Sequence, residues 1–186
     1  MEEALEFALT AVGLDGNYPK AHTSLGNAYL WRRQHNFSIE EYQKALALDR
    51  NFADAHMELG RVYHYAGRSD LAIDLIKRAI RLNPHYPDIY LHSFAQAYFH
   101  LGQYEEAIDL LQRRLIRKPD TDISRVLLAA SFGHLGRVSE AREMWREALR
   151  VNPLYSLEHR RQVLPYKNPE DFDLIRDGLR LAGLPE

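Results

Sequence analysis

The sequence predicts an all-α protein built as a stack of helix pairs. Three observations carry that expectation. First, the segment LGNAYL at Leu25–Leu30 returns as LGRVYH at Leu59–His64, 34 residues later. Second, helix breakers recur in step: Gly67, Gly102 and Gly136 are spaced by 35 and 34 residues, and so are Pro84, Pro119 and Pro153. Third, between the breakers apolar and small residues fall at three- and four-residue intervals, which places them on one face of an α-helix. Several independent columns share one period, with one residue inserted near Pro87.

The elements follow in order. Met1–Tyr18 aligns only with the second helix of a unit, with Ala4, Ala8 and Ala11 in the small-residue columns and no first helix before it. Complete units are expected at residues 19–52, 53–86, 87–121 and 122–155, and a non-repeating tail at 156–186. Within 53–86, Leu59, Val62, Tyr63 and Ala66 form the first stripe. Gly67 ends that helix in a left-handed conformation, Leu71, Ala72, Leu75, Ile76 and Ala79 form the second stripe, and Asn83-Pro84 stops it. Gly26, Gly60, Ala95 and Ala129 share the position where antiparallel helices must approach closely, and Ala72, Ala107 and Ala141 answer from the second helix. In the tail, Leu157, Arg160, Arg161 and Val163 suggest a short helix stopped by Pro165. Asn168-Pro169-Glu170-Asp171 reads as a helix start with Asn168 as N-cap, and Phe172, Ile175, Leu179 and Ala182 give that helix an apolar stripe.

Composition narrows the function classes. The 186 residues include 24 basic and 26 acidic side chains and no cysteine. Without cysteine there are no disulfides, thiolate nucleophiles or cysteine-ligated metal centres. The near-balanced charge gives no bulk attraction to nucleic acid, and Arg113, Arg114, Arg117 and Lys118 read as the solvated end of a helix. The acidic start MEEALEFALTAV lacks a signal peptide's basic region, and no window reaches the roughly 18 apolar residues of a membrane span. A cytoplasmic protein is the expectation, with no nucleic-acid or membrane partner. The nine histidines offer no ligand triplet at metal-binding spacing, and His92 and His100 lie about 12 Å apart by helical rise. No catalytic motif is present either, so no catalytic residue, metal or cofactor is assigned.

The residues Leu25, Gly26, Tyr29, Tyr42 and Ala45, then Leu59, Gly60, Tyr63, Gly67, Ala72, Ala79 and Pro84, carry a family pattern. Tyr98, Gly102, Ala107 and Pro119 continue it, followed by Leu128, Gly136, Ala141, Trp145, Ala148 and Pro153. Over roughly residues 1–155 the chain resembles the tetratricopeptide repeat. The resemblance implies a right-handed α-solenoid, closed here by a C-terminal capping helix. Departures mark particular places. Arg33 stands where the family prefers glycine and Ser38 where it prefers alanine, so the turn Arg32–Phe37 is expected to be irregular. Arg114 replaces a core alanine; its guanidinium must snorkel to solvent, the favoured reading, or find an acid. The tail segments Leu164–Pro169, Asp177–Arg180 and Ala182–Glu186 look like the C-terminal ends of multidomain bacterial proteins. In those, a class III adenylate or guanylate cyclase or a DNA-binding domain precedes a repeat array.

By the family's usual geometry, the first helices line a concave groove. The resemblance places Asn27, Arg61 and Gln96 in one ladder, Trp31, Tyr65, His100 and His134 in a second, and Met57 and His92 in a third. Amides can bond a peptide's backbone and flat rings can cover its side chains, so the expected partner is a peptide or protein segment. Two alternatives are that these rings pack on neighbouring helices or that the C-terminal helix fills the groove. Family members that clamp acidic chaperone tails carry a set of cations and amides. Here Thr23, Asn27, Glu58, Ile89 and Ser93 stand at those positions, and Glu58 would repel a carboxylate. Toward Ile123, Val126 and Leu127 the groove turns apolar, which suggests an apolar ligand or self-docking.

The expectation is a non-catalytic scaffold, the C-terminal part of a larger bacterial signalling or regulatory protein. The alternative is a self-association module whose N-terminal edge forms a homodimer and assembles attached cyclase-like or DNA-binding domains.

Overall fold

The computed structural model describes residues 2–185, and every regular element among them is an α-helix. The chain forms two compact units, one of Met1–Tyr86 with Leu164–Lys167 and one of Pro87–Val163 with Asn168–Glu186.

The first unit contains α1 (Glu2–Leu14), α2 (Pro19–Trp31), α3 (His35–Leu48), α4 (Ala53–Tyr65) and α5 (Ser69–Leu82). α2 pairs with α3 and α4 with α5, while α3 packs on α4 and α1 on α2. Close approach explains the small residues. A β-carbon on Gly26 would lie 2.8 Å from the Tyr42 ring, and one on Gly60 would lie 3.0 Å from Ile76. Tyr42, Ala45, Ala72, Ile76 and Ala79 are therefore fully buried. Ser38, also buried, keeps its column because its hydroxyl donates to the Gly26 carbonyl at 2.7 Å.

The turn at Arg33 corrects the sequence expectation. It is regular: Arg33 N–H donates to Leu30 O and Gln34 N–H to Tyr29 O, as Gly67 and Arg68 do with His64 and Tyr63. Arg33 reaches this geometry at φ +58°, alongside Gly67 at φ +79°. For a residue with a β-carbon the left-handed region costs roughly 1–2 kcal/mol. Here a non-glycine side chain holds a glycine's conformation.

The second unit contains α6 (Ile89–His100), α7 (Tyr104–Arg117), α8 (Asp122–His134), α9 (Val138–Val151), α10 (Leu157–Val163) and α11 (Glu170–Leu181). α6 pairs with α7 and α8 with α9, across turns at Gly102 and Gly136 with φ of +73° and +71°. α11 lies against α8. Its N-cap is Pro169, not Asn168, whose carbonyl instead accepts the Asp171 N–H. Arg114 does not snorkel. It is buried, and its Nε donates to Asp88 Oδ2 at 2.9 Å while Nη1 donates to Ser124 Oγ at 2.6 Å. The guanidinium has found an acid, and that ion pair fills the position a core alanine would leave small.

Candidate functional site

In the first unit, Asn27 and Arg61 come together one repeat apart. Arg61 Nη2 donates to Asn27 Oδ1 at 3.1 Å and also pairs with Glu58. The cation beside Glu58 offsets the repulsion that a bare carboxylate there would exert. Trp31 is 36% exposed and opens onto a cleft of about 540 Å³, lined also by Ala4, Phe7, Ala8, Ala11 and Ala28. Met57, at 2% exposure, belongs to the core and lines no open groove. Its flexible, polarizable thioether packs readily among other apolar side chains.

Tyr65 is also buried, and the segment Leu164–Lys167 lies against it. Tyr65 O accepts the Lys167 N–H at 2.8 Å, and the Tyr65 ring meets the Tyr166 ring edge-on at 4.9 Å. Two further groups hold this segment. His35 Nε2–H donates to Pro165 O at 2.7 Å, and Arg33 Nη1–H donates to Tyr166 O at 2.8 Å. The Tyr166 hydroxyl is 3.4 Å from His64 Nε2, whose other nitrogen faces Ser69 Oγ at 3.1 Å.

In the second unit, His92 and Gln96 are each 6% exposed and face no open groove. His92 Nδ1 bonds Ser124 Oγ at 3.1 Å. Burial, with the nearby Arg114 and Arg160 cations, pushes its pKa down to about 3. His100 stands between two carbonyls, Gln96 O and Asp171 O, each 2.9 Å from a ring nitrogen. A neutral ring can donate to only one of them. Burial lowers the His100 pKa while both carbonyls oppose that shift. His134 Nε2–H donates to Leu174 O at 2.8 Å, and its ring stacks on Tyr104 with centroids 4.5 Å apart. α8 and α11 approach closely at two glycines: a β-carbon on Gly133 would lie 1.8 Å from Gly178 O. In this unit α11 packs against α8, and Val126 and Leu127 of α8 are buried while Ile123 is half-buried.

His22 and His56 serve the repeats. His22 contacts Glu41 at 2.6 Å and the Gly16 carbonyl at 2.9 Å, and His56 donates to the Arg50 carbonyl at 3.0 Å. Each fastens the loop that leads into its helix. Sequence reasoning missed Arg33, His35, His64 and Tyr166 as a group. Two signals pointed at them: the arginine in a glycine column, and the Leu-Pro-Tyr-Lys run outside the repeat.

Three family models match the chain in overlapping stretches: a tetratricopeptide repeat at residues 64–131, a TPR repeat at 34–67 and another tetratricopeptide repeat at 124–147. Among solved structures, TTC0263, a thermophilic TPR protein of Thermus thermophilus, superposes with TM-score 0.70 at 25% identity over 86% of each chain. YrrB, a TPR protein described as having an unusual peptide-binding site, gives TM-score 0.67 at 19% identity, covering 96% of this chain and 92% of its own. MamA gives TM-score 0.68 at 23% identity over 80% of this chain and 86% of its own. One curated relative, Putative adenylate cyclase 3 of Rhizobium meliloti (strain 1021), is 50% identical over 44 residues. That stretch is 24% of this chain and 8% of the relative. No helix among the described residues is long and apolar enough to cross a membrane. With helix pairs, glycine turns and matched models in agreement, this chain is an all-α protein of tetratricopeptide repeats, matched from residue 34 to residue 147.

Proposed function

We propose that the chain is a non-catalytic scaffold that binds an extended protein segment through the faces of its first helices and adjoining turns. One observation carries this reading. In each unit, repeat side chains meet main-chain carbonyls of a non-repeat segment at hydrogen-bond distance: Arg33 and His35 in the first, His100 and His134 in the second. Carbonyl recognition suits a peptide of any sequence, while neighbouring rings select its side chains. Asn27, Trp31 and Arg61 add a partly exposed amide, indole and guanidinium on the same helices. The test is a random peptide library displayed against the full chain, followed by calorimetry with the selected peptides. An Asn27→Ala, Trp31→Ala double variant should weaken binding at least about tenfold. Unchanged affinity would reject these helices as the site.

The short match to a cyclase-named protein supports a place for this chain within a larger signalling protein. The mass of the native polypeptide tests that: a species of 21.6 kDa would reject it.

The cleft between α1 and α2 favours a second reading, self-association. Ala4, Ala8 and Ala11 occupy columns that Ser38, Tyr42 and Ala45 fill in the next repeat, where α2 covers them. Phe7 stays 75% exposed at this edge. Sedimentation over a wide concentration range should show a dimer that a Phe7→Lys variant abolishes. A strict monomer throughout would discard this reading.

A further inference from the structure

The segment Leu164–Lys167 is held in the first unit as a bound peptide would be. Its backbone makes three hydrogen bonds to repeat atoms: Pro165 O accepts from His35, Tyr166 O accepts from Arg33, and Lys167 N–H donates to Tyr65 O. Pro165 cannot donate, and its ring fixes its own φ in the range of extended backbone. The Tyr166 ring is 1% exposed, edge-on to Tyr65 at 4.9 Å and to His64 at 5.6 Å, with its hydroxyl toward His64. The Lys167 side chain is exposed, so recognition ends at its backbone. Beside Tyr166 a further cavity of about 280 Å³ is walled by Arg33, His35, Asn36 and Phe37.

The backbone at Arg33 singles out this contact. Its counterparts Gly67, Gly102 and Gly136 reach the left-handed region without a side chain, whereas Arg33 carries a guanidinium there that bonds Tyr166 O. A strained residue whose side chain grips a peptide carbonyl is placed for binding, since turn formation alone needs no side chain.

We propose that Leu164–Lys167 is a built-in occupant of this site, and that the partner it excludes is an extended segment with an apolar-Pro-Tyr core. This rests on the peptide-binding reading above and names the ligand and its regulation. A partner bearing that core takes the His35 and Arg33 donors with its carbonyls and places its tyrosine between His64 and Tyr65. It binds as the chain's own segment leaves.

The test uses the full chain and a labelled peptide, RQVLPYKNP, with RQVLPAKNP as its control. Fluorescence polarisation is measured on the unaltered chain, on Tyr166→Ala, and on Tyr166→Ala combined with Arg33→Gly. The glycine variant keeps the turn and removes the side chain that bonds Tyr166 O. Emptying the ring site should tighten binding of the tyrosine peptide at least about tenfold. Adding Arg33→Gly should weaken it again by about tenfold, the range of one charge-assisted hydrogen bond. The control peptide should not bind. A folded Tyr166→Ala chain that ignores the tyrosine peptide, or binds both peptides alike, overturns the proposal. Hydrogen exchange on the unaltered chain gives a second measurement that no folding defect can obscure. Saturating tyrosine peptide should accelerate exchange of the Lys167 amide, and unchanged protection overturns the proposal as well. If the Tyr166→Ala chain ignores this peptide but binds library-selected peptides through Asn27 and Trp31, the tyrosine motif fails and the broader reading stands. If it binds neither, both fail.

Discussion

Gly133 and Gly178 meet where α8 and α11 touch, and the space between them admits no side chain. A β-carbon on Gly133 would sit 1.8 Å from Gly178 O, and one on Gly178 would sit 2.4 Å from Ala130 O. Both obstacles are backbone, so neither can rotate away. Gly→Ala in a helix ordinarily stabilises by about 1 kcal/mol. Here Gly133→Ala should destabilise by about 2 kcal/mol or more through overpacking, read from chemical denaturation. Gly13→Ala provides the contrast. Nothing lies within 4 Å of its β-carbon, so it should stabilise by several tenths of a kcal/mol.

The buried ion pair in the second unit should be asymmetric under mutation. Asp88→Asn leaves the Arg114 cation buried with two hydroxyl partners, Ser124 and Thr121. A loss of about 2 kcal/mol is expected, because Asp88 is itself part-exposed and solvent screens some of the pair. Arg114→Met removes the charge with the need for an acid and fills similar volume, so it should cost less than Asp88→Asn. Thermal melts of both variants decide the order.

Stability should fall as the solution is acidified. His56, His92 and His100 all have pKa values lowered by burial, so the folded chain holds them neutral while the unfolded chain protonates them near 6.5. The sign follows: their contribution is complete above about pH 6.5 and is lost as pH falls toward the folded values. His92 dominates, with a folded value of about 3. Between pH 6.5 and 5 His92 can contribute up to about 1.4 kcal/mol per pH unit, and His56 and His100 act in the same direction. Denaturation midpoints across that range should fall, and a His92→Gln variant should show a shallower slope.

Arg33→Gly in the otherwise unaltered chain separates strain from grip. The substitution relieves a left-handed non-glycine residue and removes the bond to Tyr166 O. The two terms oppose each other at roughly 1–2 kcal/mol each, so global stability should shift by less than about 1 kcal/mol. Local protection should still drop: the Lys167 amide, bonded to Tyr65 O, should exchange faster as the segment loosens. Unchanged exchange would mean the guanidinium does not hold the segment.

What was legible in the sequence is what short-range periodicity encodes. Apolar spacing marks helix faces. Gly67, Gly102 and Gly136 mark turns that require positive φ, and Gly26 and Gly60 mark close approach. These repeat because each pair faces the same packing problem, so one sequence states the rule several times over. The fates of Arg33, Arg114 and Tyr166 were not legible in this way. Arg33 bonds a carbonyl 133 positions away and His35 one 130 positions away, and every residue type presents the same carbonyl. Met57, His92 and Gln96 are groove residues by register, yet register fixes only the face of a helix, and what covers that face is set by the rest of the chain. The sequence alone determined the helix pairs, because local hydrogen bonding and amphipathic spacing suffice for them. Only the tertiary structure decided which segment lies against those helices, because that choice depends on backbone atoms brought together by the fold.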